Sequence, residues 1–190
     1  MSWQPGQPMQ IITERFVMRS ILPPHINETY ISWWNDEEIQ AGFNFKPRGW
    51  GLKEAKEHVS KFDNKENFHL GIYDRQTKQI IGFYTMFVNY GTKRALTNVC
   101  IGNKEWWGKG VVLEIRSKML DFLFFNLNLE KVIGTIHGRN LPSIYNYKAQ
   151  GFRNEAIVRS HMIGANGGRI DEYHFGLLKE EWLAKRKESP

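Results

Sequence analysis

Hydrophobic and polar positions change period several times along this chain, and each change predicts an element. Residues 13–19 alternate around Phe16, Val17 and Met18, which predicts a first strand that Pro23 and Pro24 terminate. Over 27–34, Ile26, Tyr30, Trp33 and Trp34 recur at helical spacing. Asn35 and Asp36 either end that helix or cap a short one over 37–39. Residues 42–51 lose all periodicity and are rich in Gly, aromatic and basic residues, which predicts a surface loop suited to a substrate lid. A second amphipathic helix is expected over 52–62. Strands follow at 67–73, 79–90 and 94–101, joined by short polar turns at 74–77 and 91–92, so an antiparallel meander is expected.

From residue 111 the pattern turns strongly apolar and reads as a buried helix to 126, followed by a strand over 131–137. Strand 94–101, this helix and strand 131–137 form a unit that normally makes a parallel crossover. Asn140 with Pro142 opens another helix, and Gly151 is a natural left-handed stop. Strands at 155–163 and 168–177 flank a glycine turn at 164–168, and a short helix is expected over 179–186.

Composition narrows the class. The 190 residues suit one domain with a sizeable core, and 41% hydrophobic with 24% charged residues is ordinary for a globular protein. The single cysteine excludes an internal disulfide framework and a cysteine-based metal cluster, so a reducing, cytoplasmic setting is expected, with no metal. Residues 1–8 have no basic stretch followed by an apolar core and are not read as a signal peptide. The apolar run at 120–127 is interrupted by Asp121 and Asn126 and is too short to span a membrane. A formal charge of +6 favours anionic partners. Basic residues are interleaved with acids, apart from Lys185, Arg186 and Lys187 near the end of the chain, which argues against nucleic acid as the partner.

The candidate chemistry centres on Trp106, Trp107, Gly108, Lys109, Gly110 and Val111. They lie between an apolar strand that ends in Cys100 and Ile101 and the start of a buried helix. Strand, glycine turn and helix start present bare backbone N–H groups to a phosphate, and Lys109 adds charge beside them. A Gly-x-Gly turn is also a common tight connection with no ligand. A second motif changes the balance. Asn140, Ser143, Tyr147, Gly151 and Phe152 resemble the helix-plus-Gly-Phe signature of the GNAT acetyltransferase superfamily, in which an Asn opens the helix, a small residue follows one turn later and an aromatic lies four residues before Gly-Phe. The segment from Trp33 to Glu38 is similar to the Trp-x-Asn-Asp region of the RimJ/RimL-like branch, and the stretch from Asp171 to Trp182 is similar to that branch's ending. Where the family's glycine loop usually begins with Arg or Gln, this chain has Glu105.

The resemblance implies a GNAT-like α/β (α+β) fold. Its sheet is mixed but mostly antiparallel, of about seven strands flanked by helices, with a splayed parallel pair at the cofactor site. It also implies a flexible arm over 1–10, a single N-acetyltransferase domain over 11–187, and acetyl-CoA as co-substrate. Cys100, Ile101, the six residues from Trp106 to Val111, Asn140 and Ser143 are then expected to contact that co-substrate, with Asn140 also capping its helix. Acetyl transfer needs a held pyrophosphate, a neutral amine and a proton for the departing thiolate. Tyr147 is the candidate acid; the alternative is a helix aromatic in the core, a role also open to Tyr145. His161 is the nominated base, although a lone strand histidine is commonly structural, and ordered water can serve instead. Cys100 has no evident histidine partner, so direct attack by the amine is expected rather than an acetyl-cysteine route.

Trp34, Phe45, Arg48 and Asn98 are the expected acceptor residues. Lys46 and Arg48 among aromatics suit a nucleotide-linked amino sugar, with a protein N-terminus as the alternative acceptor. A non-catalytic acyl-CoA-binding module is the rival class, and the sequence leaves a homodimer open.

Overall fold

A computed structural model describes residues 3–164 and 167–188. It contains one eight-stranded sheet in the order β1-β2-β3-β4-β5-β6-β8-β7. The strands are β1 (Gln10–Ile12), β2 (Phe16–Ser20), β3 (Asn67–Asp74), β4 (Ile80–Asn89), β5 (Arg94–Ile101), β6 (Lys131–His137), β7 (Arg153–Ile163) and β8 (Arg169–Leu178). The helices are α1 (Glu28–Asn35), α2 (Glu37–Ala41), α3 (Leu52–Val59), α4 (Val111–Asp121), α5 (Leu141–Ala149) and α6 (Lys179–Glu188).

The expected meander is present: β2, β3, β4 and β5 pair antiparallel in chain order. The count of about seven strands is corrected to eight, because Gln10–Ile12 pairs with β2. Three residues are too few for an alternation signal. The expected strand over 13–19 starts later, at Phe16. Thr13 and Arg15 form the turn before it, closed by the Thr13 N–H donating to the Phe16 carbonyl at 2.9 Å. The two alternatives at Asn35 and Asp36 both hold: α1 ends at Asn35, and Asp36 caps α2 by accepting from the Ile39 N–H at 3.0 Å. The long helix after the glycine turn is α-helical only to Asp121. It closes with a π-helical turn at Phe122–Asn126, where the Leu127 N–H reaches back to the Phe122 carbonyl. The glycine turn expected at 164–168 includes Ala165 and Asn166, which lie outside the described residues.

Two apolar layers cover the sheet. On one face, Tyr84, Met86 and Val132 pack with Ile115 and Met119 of α4, Ile144 and Tyr147 of α5, and Trp182 of α6. Trp3 joins this layer through ring contacts at 5.6 Å with Phe68 and Phe122. On the other face, Phe83 and Cys100 pack with Tyr30, Trp33 and Trp34 of α1 and Ala55 and Val59 of α3. Burying two separate faces explains why the central strands read as nearly continuous apolar runs.

The feature that positions the site is a failure of pairing. β5 and β6 are the parallel pair, and their register runs only through Arg94↔Lys131, Ala95↔Val132 and Leu96↔Ile133. Beyond Leu96 the strands part. Because the Thr97 carbonyl faces the opening, strand alternation turns the backbone polar groups of Val99 toward it as well.

Candidate active site

The glycine loop leaves β5 through a 3-10 turn at Lys104–Trp106, and α4 starts after Gly110. Gly108 and Gly110 both have left-handed φ, +73° and +72°, which a side chain would strain. A Cβ on Gly108 would meet nothing within 4 Å, so the turn is open to a ligand. The Trp106 and Trp107 N–H groups are used inside the loop, by the carbonyls of Asn103 and Lys104 at 3.0 Å. Gly110 supplies no side-chain cap, and the first helical bond is Glu114 N–H to the Gly110 carbonyl. The N–H groups of Val111, Val112 and Leu113 therefore start the helix without internal acceptors, beside those of Gly108 and Gly110. Such a row suits a pyrophosphate.

Side chains brace this row. Trp107 donates from Nε1 to the Ile101 carbonyl at 2.7 Å, tying the loop to the end of β5. Trp106 packs edge-on against Phe16, 5.2 Å between centroids, and Lys109 lies 5.5 Å from the Trp106 ring. Arg15 had no sequence signal, yet its guanidinium bridges the Lys109 carbonyl (3.1 Å) and the Glu114 carboxylate (2.6 Å). Burial works against ionisation of Glu114, but hydrogen bonds from Thr13 and Arg15 together hold it below the usual carboxylate range. The loop thus has two cations at its mouth, Lys109 and Arg15.

Asn140 accepts from the Ser143 N–H at 3.1 Å, which is the expected helix cap. Its amide group donates to the Gly42 carbonyl at 2.8 Å, and His137 Nε2 meets the same oxygen at 3.0 Å. Ser143 is half-buried one turn into α5. Tyr147 is 2% exposed, and its hydroxyl donates to the Thr97 carbonyl at 3.3 Å, at the level where β5 and β6 part. Gly134 of β6 makes room for it: a Cβ there would overlap the phenol oxygen. The ring stacks on Phe175 at 5.1 Å and meets Phe152 edge-on at 4.9 Å. Tyr145, the other candidate for a core aromatic, is instead 66% exposed. Ile144 and Tyr147, three residues apart, define the inner face of α5, and Tyr145 falls outside it.

The expected acceptor residues lie on the opposite face of the sheet. Trp34 is buried between Phe83 at 5.3 Å and Trp50 at 4.4 Å, both near parallel, so neither face of its ring is open. Arg48 is exposed and lies over three rings: Phe45 at 4.6 Å, Trp50 at 5.3 Å and Trp34 at 5.5 Å. Asn35 fixes the 42–51 loop by pairing its amide with both the N–H and the carbonyl of Trp50, at 2.8 and 2.7 Å. Asn98 is separate from that group and reaches Thr85 across β4 at 3.4 Å. Cys100 is buried in the α1–α3 layer, and burial, aided by the Asp36 charge, pushes its thiol pKa up. A thiol that resists ionisation is a poor nucleophile. His161 lies on the edge strand β7, with β8 between it and β6, and its Nε2 is 3.0 Å from Glu172. Among the described residues no cluster of His, Cys, Asp and Glu could hold a metal, and no helix is long and apolar enough to cross a membrane.

The glycine turn and the Asn140-to-Phe152 motif that carried the resemblance thus supply free N–H groups at a helix start and a phenol where the parallel strands part, the splayed pair that the resemblance implied. The family described as Acetyltransferase (GNAT) domain matches residues 15–153. The chain belongs to the GNAT family of N-acetyltransferases. It is 25% identical over 177 residues to the uncharacterized N-acetyltransferase p20 of Bacillus licheniformis, covering 90% of this chain and 97% of that protein. The uncharacterized N-acetyltransferase YnaD of Bacillus subtilis is 27% identical, with 92% and 99% covered. Among solved structures, this GNAT chain is similar in fold to spermidine N-acetyltransferase from Vibrio cholerae in complex with CoA and spermine. That match has a TM-score of 0.79 at 22% identity and covers 89% of this chain and 98% of that one. A GNAT-family acetyltransferase from Bacillus anthracis gives 0.76 at 20% identity, with 90% and 99% covered.

Proposed function

We propose that this GNAT enzyme is acetyl-CoA-dependent and moves the acetyl group to a primary amine by direct attack, in a reducing, cytoplasmic setting and within the RimJ/RimL-like branch. The observation that carries the reading is the opening between β5 and β6. Pairing ends at Leu96, the Tyr147 hydroxyl meets the next residue's carbonyl, and β5 continues unpaired on that side toward the loop that leads into α4. The Gly108–Leu113 backbone, with Lys109 and Arg15, would hold the pyrophosphate, and the open edge of β5 near Val99 would pair with the amide groups of the pantetheine. Trp106, Trp107 and Ile101 brace the loop, Asn140 and Ser143 shape the start of α5, and Cys100 fills the wall behind β5.

Tyr147 then supplies the proton that the departing thiolate needs. His161, paired with Glu172, or an ordered water takes the proton of the attacking amine. The single domain over 11–187 belongs to this reading. The acceptor we favour is a small anionic amine, such as a nucleotide-linked amino sugar. Arg48, Lys46 and Phe45 are exposed at the lid and supply charge and an aromatic surface, although Arg48 already covers one face of Phe45.

Thiol release from acetyl-CoA, screened against nucleotide-linked amino sugars, peptide amino termini and spermidine, tests the acceptor. The fastest turnover is expected with the first group, and preference for peptides or spermidine overturns that part. Calorimetry on Gly108→Glu/Gly110→Glu tests the loop separately. CoA affinity is expected to fall at least about a hundredfold, because two carboxylates enter a site for an anion. Unchanged CoA binding refutes the loop assignment.

A further inference from the structure

Arg116 is a buried cation without an anion. It lies on the inner face of α4, 1% exposed, in a stretch where neighbouring core positions are Ile115, Met119 and Leu120. Its Nη1 donates to the Gln150 side-chain oxygen at 3.2 Å, and its Nε has no hydrogen-bond partner. Among the described residues no carboxylate lies within ion-pair distance of it. Its guanidinium carbon is 4.2 Å from the centroid of the Tyr147 ring and 5.9 Å from that of Phe152. The hydroxyls of Tyr84 on β4 and Thr97 on β5 are buried in the same pocket, and Tyr84 is within the influence of both Thr97 and Arg116. Burial raises the Tyr84 pKa, and Arg116 is the main influence opposing it, so the charge acts within this pocket. Taking a guanidinium out of water is costly, and folded proteins normally neutralise one with a carboxylate. Here the compensation is neutral: the Gln150 oxygen at 3.2 Å and the face of the Tyr147 ring at 4.2 Å.

We propose that Arg116 is a positioning residue for Tyr147, holding a fixed positive charge against the phenol so that negative charge can develop on its oxygen during acetyl transfer. The inference rests on the assignment of Tyr147 as the acid. In that step the amine nitrogen bonds to the acetyl carbonyl carbon as the carbon–sulfur bond breaks, and sulfur takes the bonding pair and the Tyr147 proton. The negative charge passes to the phenol oxygen, and the proton released by the amine later restores the hydroxyl. A charge already in place needs no rearrangement at the moment of reaction. Gln150 anchors the guanidinium from the end of α5, so α4 and α5 fix the cation relative to the ring.

A double-mutant cycle of Arg116→Met and Tyr147→Phe tests this by thiol release from acetyl-CoA. The acceptor is the best amine of the screen above or, failing one, water in slow hydrolysis. Arg116→Met alone is expected to lower kcat about tenfold or more with KM for acetyl-CoA within about twofold, and to change kcat less than about twofold once Tyr147 is Phe. Equal losses in both backgrounds mean a structural role and overturn the proposal, as does an unchanged kcat in the single variant. If Arg116→Met does not fold, judged by its thermal midpoint, the same cycle is read with Arg116→Lys, which keeps the charge and should retain more activity than Arg116→Gln. If Tyr147→Phe alone leaves kcat intact, the acid assignment fails and the positioning role with it. A catalytic Tyr147 with no coupling to Arg116 sinks this inference alone.

Discussion

Tyr147 and Gly134 fill one space from two sides, because the missing side chain on β6 is what admits the phenol to the gap between the strands. A glycine inside a strand signals a close approach by another group, so Gly134 was a legible cue, although its partner was not. Gly134→Ala should therefore displace the ring and cost about 1–3 kcal/mol in chemical denaturation, with a parallel loss of thiol release. Wild-type stability in that variant would show that the phenol does not sit where described. The choice between Tyr145 and Tyr147 as the inward aromatic needed the helix phase, which the Asn140 cap and the burial of Ile144 set. Arg116 carries the same lesson: its position on the inner face of α4 depends on the helix phase, and its contact with Tyr147 joins residues 31 apart in sequence (147 − 116) through folding alone.

Two elements organise the site, and each is held by a strap from elsewhere in the chain. At the start of α4, Arg15 links the Lys109 carbonyl to Glu114. Arg15→Ala should weaken CoA binding about tenfold by calorimetry, the effect of losing one charge-assisted contact, while leaving the fold intact. Unaltered affinity would place Arg15 outside the cradle. At the start of α5, Asn140 both caps the helix and donates to Gly42, so the two roles can be separated. Asn140→Asp keeps the cap but sets a carboxylate against the Gly42 carbonyl, whereas Asn140→Ala loses both contacts. Asn140→Ala is expected to cost about 1–2 kcal/mol in urea unfolding. The Asp variant should retain most of the helix stability but loosen the 42–48 loop, seen as faster amide exchange there than in wild type. Equal exchange in that loop for both proteins would mean that Gly42 is held without Asn140.

Across the whole molecule, the α1–α3 layer is unusual in holding two imidazoles among aromatics, His69 buried and His58 half-buried. His69 meets Phe62 edge-on at 4.7 Å and faces the Tyr30 hydroxyl at 3.3 Å, while His58 packs 5.0 Å from both Trp34 and Trp50. Burial depresses both, His58 to about 4, where Lys61 and Arg48 add to the effect, and His69 to about 3, where His58 adds. The folded chain then holds both neutral, while the unfolded chain takes up protons below about pH 6.5. Stability is therefore fully present above about pH 6.5 and falls as pH drops from there toward about 4. Urea midpoints measured at pH 7.5, 6 and 4.5 should decline across that window, and a flat profile would contradict the burial of these rings.

What the sequence determined by itself was local: strand and helix periods, the cap at Asn140, the glycine turn, and the motif pair that marks the family. These depend on neighbours within a turn or a strand, and that information lies along the chain. What the tertiary structure decided was non-local: the pairing of Gln10–Ile12, the end of pairing after Leu96, and the juxtaposition of Arg15 with the loop, of His161 with Glu172, and of Arg116 with Tyr147. Each of these joins segments whose approach is set by how two layers pack on one twisted sheet, and no period within a segment records it.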